Sequence, residues 1–273
     1  MGKGRSASIA LLAVDLDGTL LDDAKRVDRL TAAALRTVAS RGVRVVIASA
    51  RPPRSVRPFH TLLGLDTLQI NYNGALIWDE PRRSVFFHQP MAPGLVRRII
   101  MVAREAFADV LVSCEVVDRW FTDRFDQTYT TETGRLFRPD VIAPLDDFLN
   151  QPITKLMLLG DSDTISALHN VLQPQFARHV NIVRADPQLL QIMDRRVSKA
   201  DALHRVASHY GVPMSSVMAI GDAANDLPML QAAGVAVAVA NAHPLVKQAA
   251  HWVAPSNNES GVRAAIEFFG LLD

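Results

Sequence analysis

The chain has 273 residues, of which 49% are hydrophobic and 21% charged, and its formal net charge is +1. That length falls in the range, about 250–300 residues, where single cores stop growing, so two domains are expected. The charge balance speaks against a nucleic-acid partner, and no apolar run approaches the ~20 residues of a bilayer span, which speaks against a membrane partner.

Cys114 is the sole cysteine, which excludes an intrachain disulfide and a multi-cysteine metal site and suits a buried thiol in a reducing compartment. Lys3 and Arg5 precede the apolar run 9–14 as in a secretory signal, but that run is shorter than the ~7–15 residues such signals use. Met1 to Ser6 match a myristoylation pattern and Asn258-Glu259-Ser260 a glycosylation pattern, and both are short enough to recur by chance. The expectation is a cytoplasmic protein, monomer or homodimer.

In chain order, residues 9–14 form a strand candidate. Asp28 can cap a helix with apolar positions Leu30, Ala34, Leu35 and Val38, closed by Gly42. The run 43–48 has the near-continuous apolar character of a buried parallel strand. Shorter strands are expected at 68–72 and 75–78, around a turn at Asn73-Gly74. From Arg83 the pattern changes. A helix marked by Leu95, Ile99, Val102 and Ala106 leads to strands at 110–116 and 155–159, separated by a polar stretch, 122–147. A helix at 164–172 and strands at 180–183 and 189–193 follow. Strict alternation returns after Val197: a helix opened by Ser198 and closed by Gly211, a strand at 217–220, a helix at 226–233, a strand at 235–240 and a last helix at 261–271. The expected fold is α/β: a Rossmann-like, doubly wound parallel sheet core (1–82 and 197–273) with an inserted α+β domain (83–196).

Chemistry gathers where apolar strands end, the edge at which open α/β sheets bind ligands. The first strand runs into Asp15-Leu16-Asp17-Gly18-Thr19, the second into Ser49-Ala50-Arg51-Pro52, and the strand at 217–220 into Gly221-Asp222-Ala223-Ala224-Asn225-Asp226. Ser198-Lys199 opens a helix, where free N–H groups and an ammonium can both meet an anion. Two carboxylates as close as Asp15 and Asp17 repel, and a bound cation is the usual remedy. A plain strand and turn is the competing reading of Asp15 to Thr19, and a solvated helix residue that of Lys199. Arg51, Arg54 and Arg57 either steer anions or solvate a loop. The eight histidines lack ligand spacing, and Trp78, Trp120 and Trp252 suit packing better than a ligand cage.

These four segments resemble the motifs of haloacid dehalogenase-superfamily phosphatases, in the Cof-type branch with a large α/β (type IIB) cap. The Asp-x-Asp-Gly-Thr box, the strand-terminal hydroxyl at Ser49, the lysine at Lys199 and the Gly-Asp-x-x-Asn-Asp box occur in the family's order. Asn73-Gly74-Ala75, Asn241-Ala242 and the segment from Ser256 to Val262 are similar to this branch as well. Ala50, Ala200 and Ala223 stand where the family often has glycine, and at positive φ Ala50 would be strained.

The resemblance implies a phosphatase acting on a small phosphate ester through an aspartyl-phosphate. It makes Asp15 the nucleophile and Asp17 the acid–base, which demands an Asp17 pKa above the ordinary ~3.9. It implies Mg²⁺ as cofactor, held by Asp15, the Asp17 carbonyl and Asp222, with Asp226 orienting water around the metal or pairing with Lys199. The phosphate would be held by Leu16, Ser49, Ala50, Lys199 and Asn225. A sugar phosphate is the expected substrate. A phosphorylated cofactor (flavin mononucleotide or pyridoxal phosphate), a phosphomutase reaction and a non-turnover phospho-acceptor are the alternatives.

Overall fold

The computed structural model describes residues 9–126, 128–129 and 132–272. The myristoylation pattern and the basic residues at 3 and 5 lie outside the described residues. By its contacts the chain divides into two compact units, Met1–Phe86 with Ser198–Asp273, and Phe87–Val197. The first cut falls a few residues later than the composition change at Arg83 suggests, because the strand Ser84–His88 pairs into the first unit's small sheet, and the second falls one residue after Arg196.

The chain opens with β1 (Leu11–Val14), α1 (Arg29–Ser40) and β2 (Arg44–Ile47). Asp28 caps α1 as expected, its side chain accepting from the N–H groups of Leu30 and Thr31. Next come α2 (Pro53–Leu62), β3 (Leu68–Asn71), β4 (Leu76–Asp79) and β5 (Ser84–His88). The composition did not announce α2, whose prolines obscure its helical period.

The second unit holds α3 (Pro93–Ala106), β6 (Leu111–Val116), β7 (Arg119–Thr122), α4 (Glu132–Leu136), β8 (Val141–Ile142), α5 (Leu145–Phe148), β9 (Lys155–Leu159), α6 (Ser162–Phe176), β10 (Val180–Asp186) and β11 (Leu189–Asp194). Its mixed sheet runs β10-β11-β9-β6-β7-β8. Alternation along the strands sends Val112, Cys114, Leu156, Leu158 and Ile192 into a core shared with α3 and α6. Leu111, Trp120, Met157, Leu159 and Leu189 form a separate cluster with Phe125 and Tyr129.

The chain then returns to the first unit with α7 (Lys199–His209), β12 (Val217–Gly221), α8 (Leu227–Ala232), β13 (Val235–Val239), α9 (Pro244–Ala249), β14 (Trp252–Ala254) and α10 (Gly261–Phe268). Its principal sheet, β14-β13-β12-β1-β2, is parallel throughout. Both faces are covered, so β1 and β12 are buried at every position. This is the Rossmann-like α/β architecture expected from the alternation. Among the described residues no helix is long and apolar enough to cross a membrane.

Candidate active site

Sheet order and register place the site. Strands β12, β1 and β2 are neighbours, with Val14 opposite both Ile220 and Ile47. The residues that follow, Asp222, Asp15 and Ser49, therefore emerge along one edge, where the strands' last carbonyls and side chains face out of the sheet. The Asp15 N–H is anchored on the Ile220 carbonyl at 3.0 Å. All the residues below belong to the first unit.

Lys199 enters at the start of α7, where the Ser198 side chain caps the helix by accepting from the Ala200 N–H. Its Nζ lies 2.6 Å from Asp15 Oδ1 and 2.6 Å from Asp226 Oδ1, and the ammonium is sealed from solvent. Asp226 spends its other oxygen on the main-chain N–H groups of Asp222 and Ala223, at 3.1 and 3.0 Å. It is thus a fixed counter-charge, and of its two expected roles the structure displays the pairing with Lys199. Among the described residues Asp15 Oδ2 accepts no hydrogen bond, while Asp222 Oδ1 accepts from the Thr19 hydroxyl at 2.9 Å.

One carboxylate oxygen from each of Asp15, Asp222 and Asp226 lies within 4.8 Å of the others. Three carboxylates and one ammonium leave excess negative charge in a poorly solvated place. Burial, then the charge of Asp226, pushes the Asp15 carboxyl well up against the pull of Lys199. Burial and Asp226 likewise push Asp222 up to about 6. Lys199 is raised too: burial opposes its charge, but Asp15 and Asp226 outweigh that.

Asp17 departs from expectation. Its carboxylate turns away from the acidic cluster onto Arg51, whose Nε donates to Oδ2 at 2.7 Å and Nη2 to Oδ1 at 2.6 Å. Lys25 Nζ adds a third bond to Oδ1 at 2.8 Å. Burial alone would raise the Asp17 pKa, but the hydrogen bonds from Arg51 and Lys25 overcome it and hold the carboxyl below its ordinary value. The raised pKa expected for a general acid is therefore absent in this arrangement, and the Asp17 side chain takes no part in the acidic cluster. Among the arginines that could steer anions, Arg57 is paired with Glu80 instead.

Leu16 is fully buried, and its carbonyl accepts from the N–H groups of Thr19, Leu20 and Leu21, which turns the chain back directly after Asp15. Gly18 sits at φ +78°, and a Cβ there would lie 2.5 Å from Asp222 Oδ2, so only glycine allows this turn beside the acid. Ala50 is not in the positive-φ region, so the feared strain is absent. Ser49 is buried, and its hydroxyl accepts from the Arg51 N–H at 3.1 Å.

Asn225 is exposed, and its side-chain amide donates to Asn73 Oδ1 at 2.9 Å. The Asn73 N–H in turn donates to the Ser49 carbonyl at 3.1 Å. The next residue, Gly74, is at φ +102°, and a Cβ there would lie 2.3 Å from the Ser198 carbonyl oxygen. One turn therefore braces Ser49, Asn225 and the start of α7 together. Lys25 and this bracing role of Asn73 escaped sequence reasoning. The Asn-Gly pair was visible as a turn, and nothing local marked Lys25.

Residues 12–266 match the sequence profile of haloacid dehalogenase-like hydrolases. Two Bacillus subtilis proteins named 5-amino-6-(5-phospho-D-ribitylamino)uracil phosphatase are similar along nearly their whole length. YitU is 28% identical over 266 residues, covering 96% of this chain and 98% of its own. YcsE is 27% identical over 263 residues, covering 96% of each. The crystal structure of a haloacid dehalogenase-like hydrolase from Bacteroides thetaiotaomicron superposes with a TM-score of 0.87 at 25% identity, covering 96% of this chain and 99% of that one.

Proposed function

The chain belongs to the haloacid dehalogenase-like hydrolases and is a phosphatase, and from that premise we propose that it is a Mg²⁺-dependent phosphomonoesterase of a small sugar phosphate, working through an aspartyl-phosphate. The observation that carries this reading is the convergence of Asp15, Asp222, Asp226 and Lys199, from three separate segments, on one buried point. The sugar-type leaving group draws support from the two relatives whose names place the phosphate on a ribityl chain.

The donor set fits the metal. Surplus negative charge and raised carboxyls are what a hard, oxygen-seeking divalent cation relieves. Asp15, the Asp17 carbonyl and Asp222 would hold Mg²⁺, which supplies charge neutralisation to the phosphoryl oxygens.

In the first half-reaction Asp15 Oδ2 attacks phosphorus, the ester P–O bond breaks, and Asp17 protonates the departing oxygen. Asp17 must first leave Arg51 and Lys25; burial, no longer opposed, then favours its acid form. In the second, Asp17 takes a proton from water as that water attacks phosphorus, freeing Asp15 and inorganic phosphate. Lys199, the Ser49 hydroxyl, the main-chain N–H groups of Leu16 and Ala50, and the Asn225 amide hold the phosphoryl oxygens, where charge spreads in the transition state. The inserted unit, in this reading, selects the leaving group. A cytoplasmic setting suits the one buried, unpaired cysteine.

Continuous phosphate release from a panel of phosphate esters, with and without Mg²⁺, tests the proposal. Sugar phosphates should turn over repeatedly and only with the metal. A single stoichiometric labelling of the protein without further release would make it a phospho-acceptor instead.

A further inference from the structure

Three hydrogen bonds close a ring beside the acidic cluster. The loop that follows β13 reaches the ends of both β1 and β12. Asn241 Nδ2 donates to the Gly18 carbonyl at 2.7 Å, and the His243 N–H donates to the Asp222 carbonyl at 2.9 Å. Between those two points the Thr19 hydroxyl donates to Asp222 Oδ1 at 2.9 Å. The turn after β1, the loop after β12 and residues 241–243 are thereby tied to one another.

The loop does not depend on the Asn241 side chain for its own shape. Ala242 is buried with its N–H on the Val239 carbonyl, and the His243 side chain caps α9 by accepting from the Leu245 N–H. Asn241 is exposed, where water can satisfy an amide, yet both ends of its amide are engaged: Oδ1 accepts from the Asn257 N–H at 3.0 Å. Asn257 Nδ2 donates in turn to the Leu21 carbonyl at 2.9 Å, at the far end of the same turn. The Leu16 carbonyl closes that turn from within, and the two asparagines hold it from without. Gly18 has the widest conformational freedom in the turn, and the Asp17 carbonyl lies in the peptide plane directly before it. Tying down the Gly18 carbonyl therefore restrains the direction of the Asp17 carbonyl.

We propose that Asn241 is a positioning residue for the divalent cation: through the Gly18 peptide it aims the Asp17 carbonyl beside the Asp222 carboxylate and makes the site selective for a small ion. This rests on the reading that Asp15, the Asp17 carbonyl and Asp222 hold Mg²⁺. Mg²⁺ demands near-ideal octahedral geometry at about 2.0–2.1 Å, whereas Ca²⁺ accepts irregular shells at about 2.3–2.6 Å. A turn released from Asn241 still wraps the larger ion but meets the smaller one's geometry less well.

The test titrates the rise in Tm of the metal-free protein with Mg²⁺ or Ca²⁺ and takes the ratio of the two affinities. Asn241→Ala removes both side-chain bonds. Asn241→Asp keeps an acceptor for the Asn257 N–H and loses only the donor to Gly18; its added charge draws both ions alike and cancels in the ratio. Each variant should lower the Mg²⁺/Ca²⁺ ratio about tenfold, the lower end of what is lost with a group that orients a metal ligand. A merely structural role would lower Tm in EDTA and leave the ratio alone, so a wild-type ratio in either variant overturns the proposal. Asp222→Asn separates this from failure of the underlying reading. If it binds Mg²⁺ as the wild-type protein does, the ion sits elsewhere and the metal reading falls first. If it loses that binding while the Asn241 variants keep the wild-type ratio, the positioning role alone is wrong.

Discussion

Lys199 Nζ lies 2.6 Å from Asp15 Oδ1 with both side chains withdrawn from water, so the group assigned to attack phosphorus is held by a buried ion pair. Removing one member of such a pair leaves an uncompensated buried charge and costs about 3–5 kcal/mol. Lys199→Met should therefore destabilise the metal-free protein by about that amount at pH 7. It should cost less at pH 4, where Asp15, already displaced upward by burial, takes a proton. Urea denaturation at the two pH values measures this. Equal losses at both would mean that packing, not charge, is what Lys199 supplies. Turnover should fall by about two orders of magnitude or more, as for loss of a donor to the transition-state charge.

The carboxyls of the site also set how stability responds to pH. Asp222 is raised from an ordinary 3.8 to about 6, and Asp15 moves the same way. A carboxyl with a raised folded-state pKa binds its proton more tightly folded than unfolded. The metal-free protein should thus lose stability as pH rises from about 4 through 6, with no further loss from Asp222 above that. Divalent cations compete with those protons, so Mg²⁺ should raise Tm more at pH 7.5 than at pH 5. Thermal melts in EDTA and in millimolar Mg²⁺ decide the matter; equal metal gains at both pH values would place the ion elsewhere.

Asp17 gives a third prediction. If it protonates the leaving oxygen, Asp17→Asn should slow alkyl phosphates by about 10²–10⁴-fold, the usual worth of a positioned acid. It should slow p-nitrophenyl phosphate far less, since that leaving group departs without a proton. Equal slowing of both would remove the acid role and leave Asp17 as a structural partner of Arg51.

What could be read ahead of the coordinates follows from where the information lies. Asp15, Asp222 and Ser49 were legible because each follows an apolar strand, and strand ends in a parallel sheet fall on a common edge. Ser198 and Lys199 were legible as a capped helix start. The protonation bias of Asp17 was not, because it depends on Arg51, 34 residues further along, and on a left-handed Lys25 that no local pattern signals. The strand Arg119–Thr122 was hidden likewise: four residues with Arg119 exposed offer too short an alternation to stand out before the polar stretch that follows. Helix α2 hid behind Pro52, Pro53 and Pro58, two of which belong to a helix start and one to its interior.

The Asn73 turn was legible as a turn but not as a brace, and substitution there separates the two roles. Asn73 is at φ +57°, which asparagine tolerates and alanine does not, and its Oδ1 holds the Asn225 amide. Asn73→Ala should lose about 2 kcal/mol or more, combining about 1–2 kcal/mol of left-handed strain with about 1 kcal/mol for the hydrogen bond. Asn73→Gly keeps the backbone shape and loses only the side-chain acceptor, so it should retain more stability than the alanine variant. Both should lower kcat/KM several-fold, because Asn225 is then free to swing away from the phosphoryl oxygens. Urea denaturation and steady-state kinetics on the same ester separate the effects. A glycine variant with unaltered kinetic constants would show that the Asn73–Asn225 bond serves the fold and not the phosphate.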